Sequence, residues 1–305
     1  MSKFNNKIIT VSVTNQNKIY PLKFAIVNQK VDIIDSLNNA FQKSNKFLGI
    51  KKTDLNSLLN SAVIEKCDLI IFPENSIPWQ WEHYLKLFSK KNNIAIILGY
   101  HHRRNLKNEI LNEIGVFLPV TDYSNKVNSI FVDKRLKIHY SPLEIETIIG
   151  RNFLLPKKRF KTDMPIYKWK GIYFSIFNCY ELADLALRSK LIGKIDLLIA
   201  IEYNRDTNYF SSVVESTSRD IHCYVIQVNT SEFGDSRILA PQNSQEKDIL
   251  KLKGGENSII LTSKIDFSKL RQFQSLSQLL QNKDKTFKNT PPNYTQSVGR
   301  VDLSL

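Results

Sequence analysis

The strongest constraint on this chain is a series of short, almost wholly apolar runs. DLIIF, AIILG, YFSIF, DLLIAI and YVIQV recur between segments whose apolar residues repeat at helical spacing. A continuous apolar run of four to eight residues reads as a strand buried in a sheet. Strands that take turns with helices define an α/β protein. The pattern places strands at 8–13, 22–27, 69–72, 95–99, 114–119, 129–132, 172–177, 196–201, 224–229, 236–239 and 258–262. It places helices at 33–43, 54–65, 80–90, 182–191 and 209–221, with Gly254-Gly255 as a turn before the last strand.

Composition agrees with a folded enzyme-sized chain. Of 305 residues, 42% are hydrophobic and 24% charged, which suffices for a full core and excludes a mostly disordered protein. The three cysteines, Cys67, Cys179 and Cys223, form no paired spacing, so neither a disulfide scaffold nor a cysteine-built zinc site is expected. The N-terminal apolar run is too short for a signal peptide. No stretch approaches the roughly 18 to 20 apolar residues of a membrane span, so a cytoplasmic location without membrane contact is expected. A main domain is expected over 22–281. Residues 1–21 read as an extension or edge strand, and 282–305 as a polar, flexible tail.

The formal net charge is +14, carried by 32 Lys and 11 Arg against 29 acidic residues. Such a balance favours polyanionic partners. The exposed-looking candidates are His101-His102-Arg103-Arg104, Lys157-Lys158-Arg159 with Lys161, and Lys168-Trp169-Lys170. Each also reads as an ordinary solvated face, and no nucleic-acid motif accompanies them. The absence of a G-x-G-x-x-G segment sets a dinucleotide site aside.

Three segments join a buried-looking strand to a polar residue at its end, where open α/β sheets gather ligands. In CDLIIFPENSIP the residue is Glu74. In DKRLKIHYSPLEIE, Lys137, His139 and Glu144 follow a strand. In KGIYFSIFNCYELADLALR, Cys179 lies in a sharp strand-to-helix turn. A helix start beside Cys179 is expected to favour its thiolate, and the turn points backbone N–H groups at whatever binds there. A surface carboxylate, a surface lysine and a small buried cysteine remain alternatives for each segment taken singly.

Together the three resemble the nitrilase, or carbon–nitrogen hydrolase, superfamily. Glu74 in FPEN, Lys137 in KIH and Cys179 in CYE fall in that family's order, 63 and 42 residues apart. Glu144 matches the second glutamate kept after the lysine. The likeness runs from about Leu22 to about Phe273, and GGENSIILTSKIDFSKLRQFQ resembles the family's last strands and final helix. The resemblance implies a four-layer α-β-β-α sandwich and a cysteine hydrolase of non-peptide amides or nitriles. In that chemistry Glu74 is the base, and Lys137 with the Tyr180 N–H holds the developing anion. Glu144 orients Lys137, and no metal or organic cofactor takes part. It also implies a homo-oligomer, a dimer or larger.

The sequence departs from the family's usual pattern around the pocket. No Pro follows Cys-Tyr-Glu, and Ile201-Glu202-Tyr203 stands where Pro-Ser or Pro-Ala is common. Glu202, Tyr203 and His139 are therefore candidates for shaping the substrate pocket. The segments EYNRDTNYFSSVVESTSRDIHCYVIQVNTSEFGDSR and DILKLKGG resemble nitrilase modules found beside or fused to bacterial reverse transcriptases in phage-defence loci. Two other expectations stay open: acyl transfer to an amine, which uses the same thioester, and a non-catalytic basic module that meets a reverse transcriptase or nucleic acid.

Overall fold

The apolar runs become strands because each can bury both faces, one against a facing sheet and the other against a layer of helices. The computed structural model describes residues 8–14, 19–42, 52–121, 126–157 and 163–300. In chain order the first strands are β1 (Ile8–Ser12), β2 (Leu22–Asn28), β3 (Leu69–Ile71), β4 (Ala95–Gly99), β5 (Arg103–Arg104), β6 (Ile110–Leu111), β7 (Glu113–Thr121) and β8 (Val127–Leu136). They are followed by β9 (Met164–Trp169), β10 (Ile172–Asn178), β11 (Leu197–Ile201), β12 (Tyr224–Val228), β13 (Ser236–Leu239), β14 (Asp248–Leu252) and β15 (Ile259–Ile265). The helices are α1 (Ile33–Gln42), α2 (Lys52–Ile64), α3 (Glu82–Asn92), α4 (Pro142–Gly150), α5 (Leu185–Ser189), α6 (Thr207–Ile221), α7 (Phe267–Ser275) and α8 (Gln278–Asp284).

Two mixed sheets form the centre. One has the order β1-β9-β10-β11-β12-β13-β14 and the other β15-β2-β3-β4-β7-β8. Their facing sides share one core, in which Phe24, Ile26, Ile71 and Ile97 belong to the same cluster as Phe174, Ile199 and Ile226. The opposite sides carry helices. Leu198, Ala200 and Val225 pack with Leu187 of α5 and Val214 of α6, while Ile70 and Ile96 pack with Leu59 of α2 and Leu85 of α3. This is the four-layer α-β-β-α sandwich that the family resemblance implied.

Several elements differ from the expectation. β9 (MPIYKW), interrupted by Pro165 and Lys168, is buried except at Lys168, whereas β14 (DILKL) is the edge strand of its sheet, where polar side chains reach water. The expected helix at 182–191 is shorter, because a 3-10 turn at Cys179–Ala183 precedes α5. Lys43 and residues 158–162, which hold Lys158, Arg159 and Lys161, lie outside the described residues, as do most of 1–21 and all of 301–305.

The stretch expected to be a flexible tail folds back onto the sandwich. Phe287 is buried against Phe273 and Tyr224. Arg300 is fully buried and donates to the Asp196 carboxylate at 2.8 and 3.0 Å, to the Gly193 carbonyl and to Gln274. Asp196 also holds Arg271 and accepts from the Tyr173 N–H. Polar composition hid this packing, because a buried ion pair with its hydrogen bonds satisfied needs no apolar residue.

Candidate active site

Glu74 leaves the sheet three residues after β3 in a turn closed by Ser76, whose hydroxyl donates to the Pro73 carbonyl at 2.7 Å. Asn75 takes a left-handed conformation at φ 53°. The turn presses on β4 at Gly99, where an added Cβ would lie 2.5 Å from the Glu74 Cα. Glycine there is what lets Glu74 approach. Its Oε1 accepts from Lys137 Nζ and from Asn112 Nδ2, both at 2.8 Å, and its Oε2 accepts from the Tyr203 N–H at 3.1 Å.

Lys137 follows β8 directly. Its ammonium donates to Glu74 and, at 2.7 Å, to Glu144 Oε2. Two of its three N–H bonds are thus used, and the ammonium also lies 5.8 Å over the Tyr140 ring. Glu144 lies in the first turn of α4, where it forms a reciprocal capping box with Ser141. Its Oε1 accepts from Asn112 Nδ2 at 2.9 Å and meets His102 Nε2 at 3.1 Å. Glu74, Lys137 and Glu144 are all buried. Burial opposes charge on Lys137, but Glu144 and Glu74 outweigh it and hold the ammonium protonated. Burial likewise opposes charge on Glu144, and Lys137 with His102 overcomes it, so that carboxyl lies well below the usual range.

Cys179 sits one residue past β10 at φ 49°, a left-handed conformation that turns the chain sharply out of the sheet. Glu181 fixes that turn. It accepts from the Asn178 N–H at 2.7 Å, from the Ile138 N–H, and from both ends of the Arg135 guanidinium at 2.7 and 2.6 Å. Asn178 Nδ2 donates to Asn112 Oδ1 at 2.9 Å, which links the cysteine turn to both carboxylates through one amide. The Cys179 thiol donates to the Tyr203 carbonyl at 3.7 Å. Burial and then the Glu74 charge push its pKa well up, and Lys137 opposes them. The expected help from a helix N-terminus is not there: α5 starts only at Leu185, with Asp184 as its cap. The resting group is a thiol that needs a base.

The other candidates fall in different places. Tyr180 and His139 face a cleft of about 800 Å³ whose walls also include Lys137 and Tyr140. His139 turns to Asp184, 2.9 Å away, and does not join the pocket candidates beyond β11. Tyr203 reaches the site through its backbone, with its ring edge-on to Phe233. Glu202 is fully buried at the end of β11 and takes a hydrogen bond from Gln227. Asn112, Asn178 and the Arg135–Glu181 pair were not expected, and His102 was expected only as part of a basic surface. Glu181, two residues from Cys179, gave a sequence signal but passed for a turn residue.

The basic candidates correct an expectation. His101 and His102 are buried, and burial lowers the His101 pKa to about 4. Arg103 pairs with Glu113, and Arg104 donates to the Phe41 carbonyl. Trp169 is a core residue that donates to the Pro119 carbonyl, while Lys170 pairs with Asp68. These clusters serve the interior and its rim. Among the described residues no group of three or more His, Cys, Asp or Glu is placed to hold a metal ion, and no helix is long and apolar enough to cross a membrane.

Solved structures share this architecture. No family model and no curated protein matches the sequence. The fold matches XC1258 from Xanthomonas campestris, a CN-hydrolase superfamily protein with an arsenic adduct in its active site, at TM-score 0.59 and 13% identity over 84% of this chain and 95% of that one. It also matches an amidase from Nesterenkonia sp. at TM-score 0.55 and 13% identity, over 86% and 95% of the two chains. A Glu-to-Gln variant of the Nesterenkonia sp. AN1 amidase, with the acetamide moiety of fluoroacetamide added covalently at its active-site cysteine, matches at TM-score 0.53, 12% identity and 86% and 96% coverage. The chain therefore has the fold of the CN-hydrolase, or nitrilase, superfamily.

Proposed function

We propose that this chain is a carbon–nitrogen hydrolase that cleaves a small amide or nitrile through a thioester on Cys179. The observation that carries this reading is the convergence of Glu74, Lys137 and Cys179 from three separate strand ends. Glu74 and Lys137 are the groups whose charges act most on the thiol. A structural lysine has no need to be buried between two carboxylates beside a cysteine in a left-handed turn. The acetamide adduct on the amidase cysteine supports an amide as substrate.

In this mechanism Glu74 takes the thiol proton as Cys179 Sγ attacks the amide carbon. The carbonyl electron pair moves to oxygen, where the third N–H of Lys137 and the Tyr180 N–H stabilise it. One such donor is worth about 2.7–4 kcal/mol in comparable sites. Collapse of this intermediate breaks the C–N bond, and Glu74 gives its proton to the leaving amine. A water then gives a proton to Glu74 and its oxygen to the thioester carbon. The acid leaves and the proton returns to sulfur. Glu144 and Asn112 keep Lys137 charged and aimed throughout. An amine in place of water would make the same thioester an acyl donor.

The test is a screen of short aliphatic amides and nitriles with the wild type, Glu74→Gln and Cys179→Ala. Turnover that both substitutions abolish supports the reading, with an acyl adduct trapped on Cys179 in Glu74→Gln. Turnover that survives in Cys179→Ala overturns it. The setting we propose is phage defence beside a reverse transcriptase, and it rests on the likeness of residues 202–237 and 248–255 alone. Plaque counts with wild type and Cys179→Ala, with and without a co-expressed reverse transcriptase, test it.

A further inference from the structure

β10, β11 and β12 run parallel, with Asn178 beside Ile201 and Ile201 beside Val228. Cys179 and Glu202 each follow the last residue of their strand, and the Glu202 charge reaches the Cys179 thiol. Glu202 is fully buried. Its Oε2 accepts a single hydrogen bond, from the neutral Gln227 amide at 2.9 Å, and its Oε1 has no hydrogen-bond partner. The charged groups that act on it are Glu74 from the β3 exit and Asp235 and Arg237 at β13. Arg237 is already matched by Asp235, by Glu215 of α6 and by Asp248 of β14, and it also donates to Ser211. Among the described residues, the cation that acts on the Glu202 carboxyl is thus already shared.

We propose that Glu202 is held as a neutral carboxylic acid beside the nucleophile, and that its ionisation switches Cys179 off at alkaline pH. The inference rests on Cys179 being the nucleophile. The site already holds Glu74 and Glu144 against one Lys137, so a thiolate brings it to a net charge of two negatives. An ionised Glu202 adds a third and raises the proton affinity of the thiol. Burial first, then Glu74 and Asp235, push the Glu202 carboxyl up to about 8, against Gln227 and Arg237. Ordinary thiols gain reactivity steadily as pH rises. This one gains it up to the ionisation of Glu202 and is then held back. Glu202 touches no reacting atom in this scheme and is a positioning residue acting by charge.

Two measurements on the whole chain test this, with Glu202→Gln as the near-isosteric variant. The first is the rate of iodoacetamide alkylation at Cys179 against pH, with Cys179→Ala as the control for site. Wild type and variant are expected to agree near neutral pH and to diverge above about pH 8, the variant becoming about tenfold faster. Superimposed profiles, or no alkylation of Cys179 in either protein, overturn the switch. The second is infrared difference spectroscopy of the protonated carboxyl stretch. A band present at neutral pH, absent from Glu202→Gln and lost with a midpoint near 8 supports the neutral acid. Its absence from the wild type overturns the proposal, and this readout does not depend on amide turnover. Amide turnover that survives in Cys179→Ala beside an intact band marks a failure of the functional reading alone.

Discussion

Arg135 on β8 and Glu181 beyond β10 form a two-pronged, buried ion pair that joins the two sheets next to Lys137 and Cys179. It sets the distance between the lysine strand and the cysteine turn, because Glu181 also holds the Asn178 and Ile138 N–H groups. Arg135→Met should leave a buried carboxylate without its cation and cost about 3–5 kcal/mol, read as a lowered midpoint in chemical denaturation. Arg135→Lys should recover little, since an ammonium cannot span both oxygens. Equal stability of Arg135→Lys and wild type would show that the fork geometry is unimportant.

Gly99 should be as sensitive as a catalytic residue while doing no chemistry. A methyl there meets the Glu74 backbone at 2.5 Å and the Asn75 N at 2.6 Å, and neither can move as a side-chain tip would. Gly99→Ala should displace the Glu74 turn and slow Cys179 alkylation near neutral pH, with the far-ultraviolet dichroism of the sandwich retained. Gly150, with nothing within 4 Å of an added Cβ, is the control.

Glu202 should also mark the stability curve. Its folded pKa is raised from 4.5 to about 8, so between those values the folded state keeps a proton the unfolded chain has lost. Stability from this group is greatest below about pH 4.5 and falls as pH rises to about 8, by as much as about 5 kcal/mol. Glu202→Gln should remove that downward slope. Urea unfolding at intervals across the window decides it, and parallel curves for the two proteins would exclude the raised pKa.

The C-terminal packing predicts a stability cost far from the chemistry. Phe287→Ala opens a hole against Phe273 and Tyr224 and should cost about 3–5 kcal/mol. Arg300→Ala should destabilise as well, although Asp196 keeps Arg271. Both proteins should keep the Cys179 alkylation rate of the wild type under native conditions. An unchanged thermal midpoint in Phe287→Ala would contradict the packing.

The candidate site was legible where a polar or nucleophilic residue follows a long buried run, as with Glu74 after LIIF and Cys179 after YFSIFN. A polar residue stands out there against an apolar background. Asn112 did not stand out, because an asparagine beside a strand reads as a turn residue. Its role lies in bridging two carboxylates and Asn178, which the chain brings together only in the folded state. His101-His102 misled in the opposite sense, since charge-bearing types in a row look solvated until a fold buries them. β14 was missed because an exposed edge strand shows no apolar run, and the 285–300 stretch because much of its packing runs through the Arg300 ion pair, which hydropathy does not register.

The Asp196 cluster sets an order on folding. Its carboxylate is buried at the start of β11, and its cations come from residues 75 and 104 positions later. A chain emerging from its N-terminus can assemble every strand around Asp196 before either arginine arrives. Until then the nascent sandwich must keep that carboxylate wet or protonated. The turn at Arg300 therefore latches the sheet that carries β11, long after the strands around it have been made.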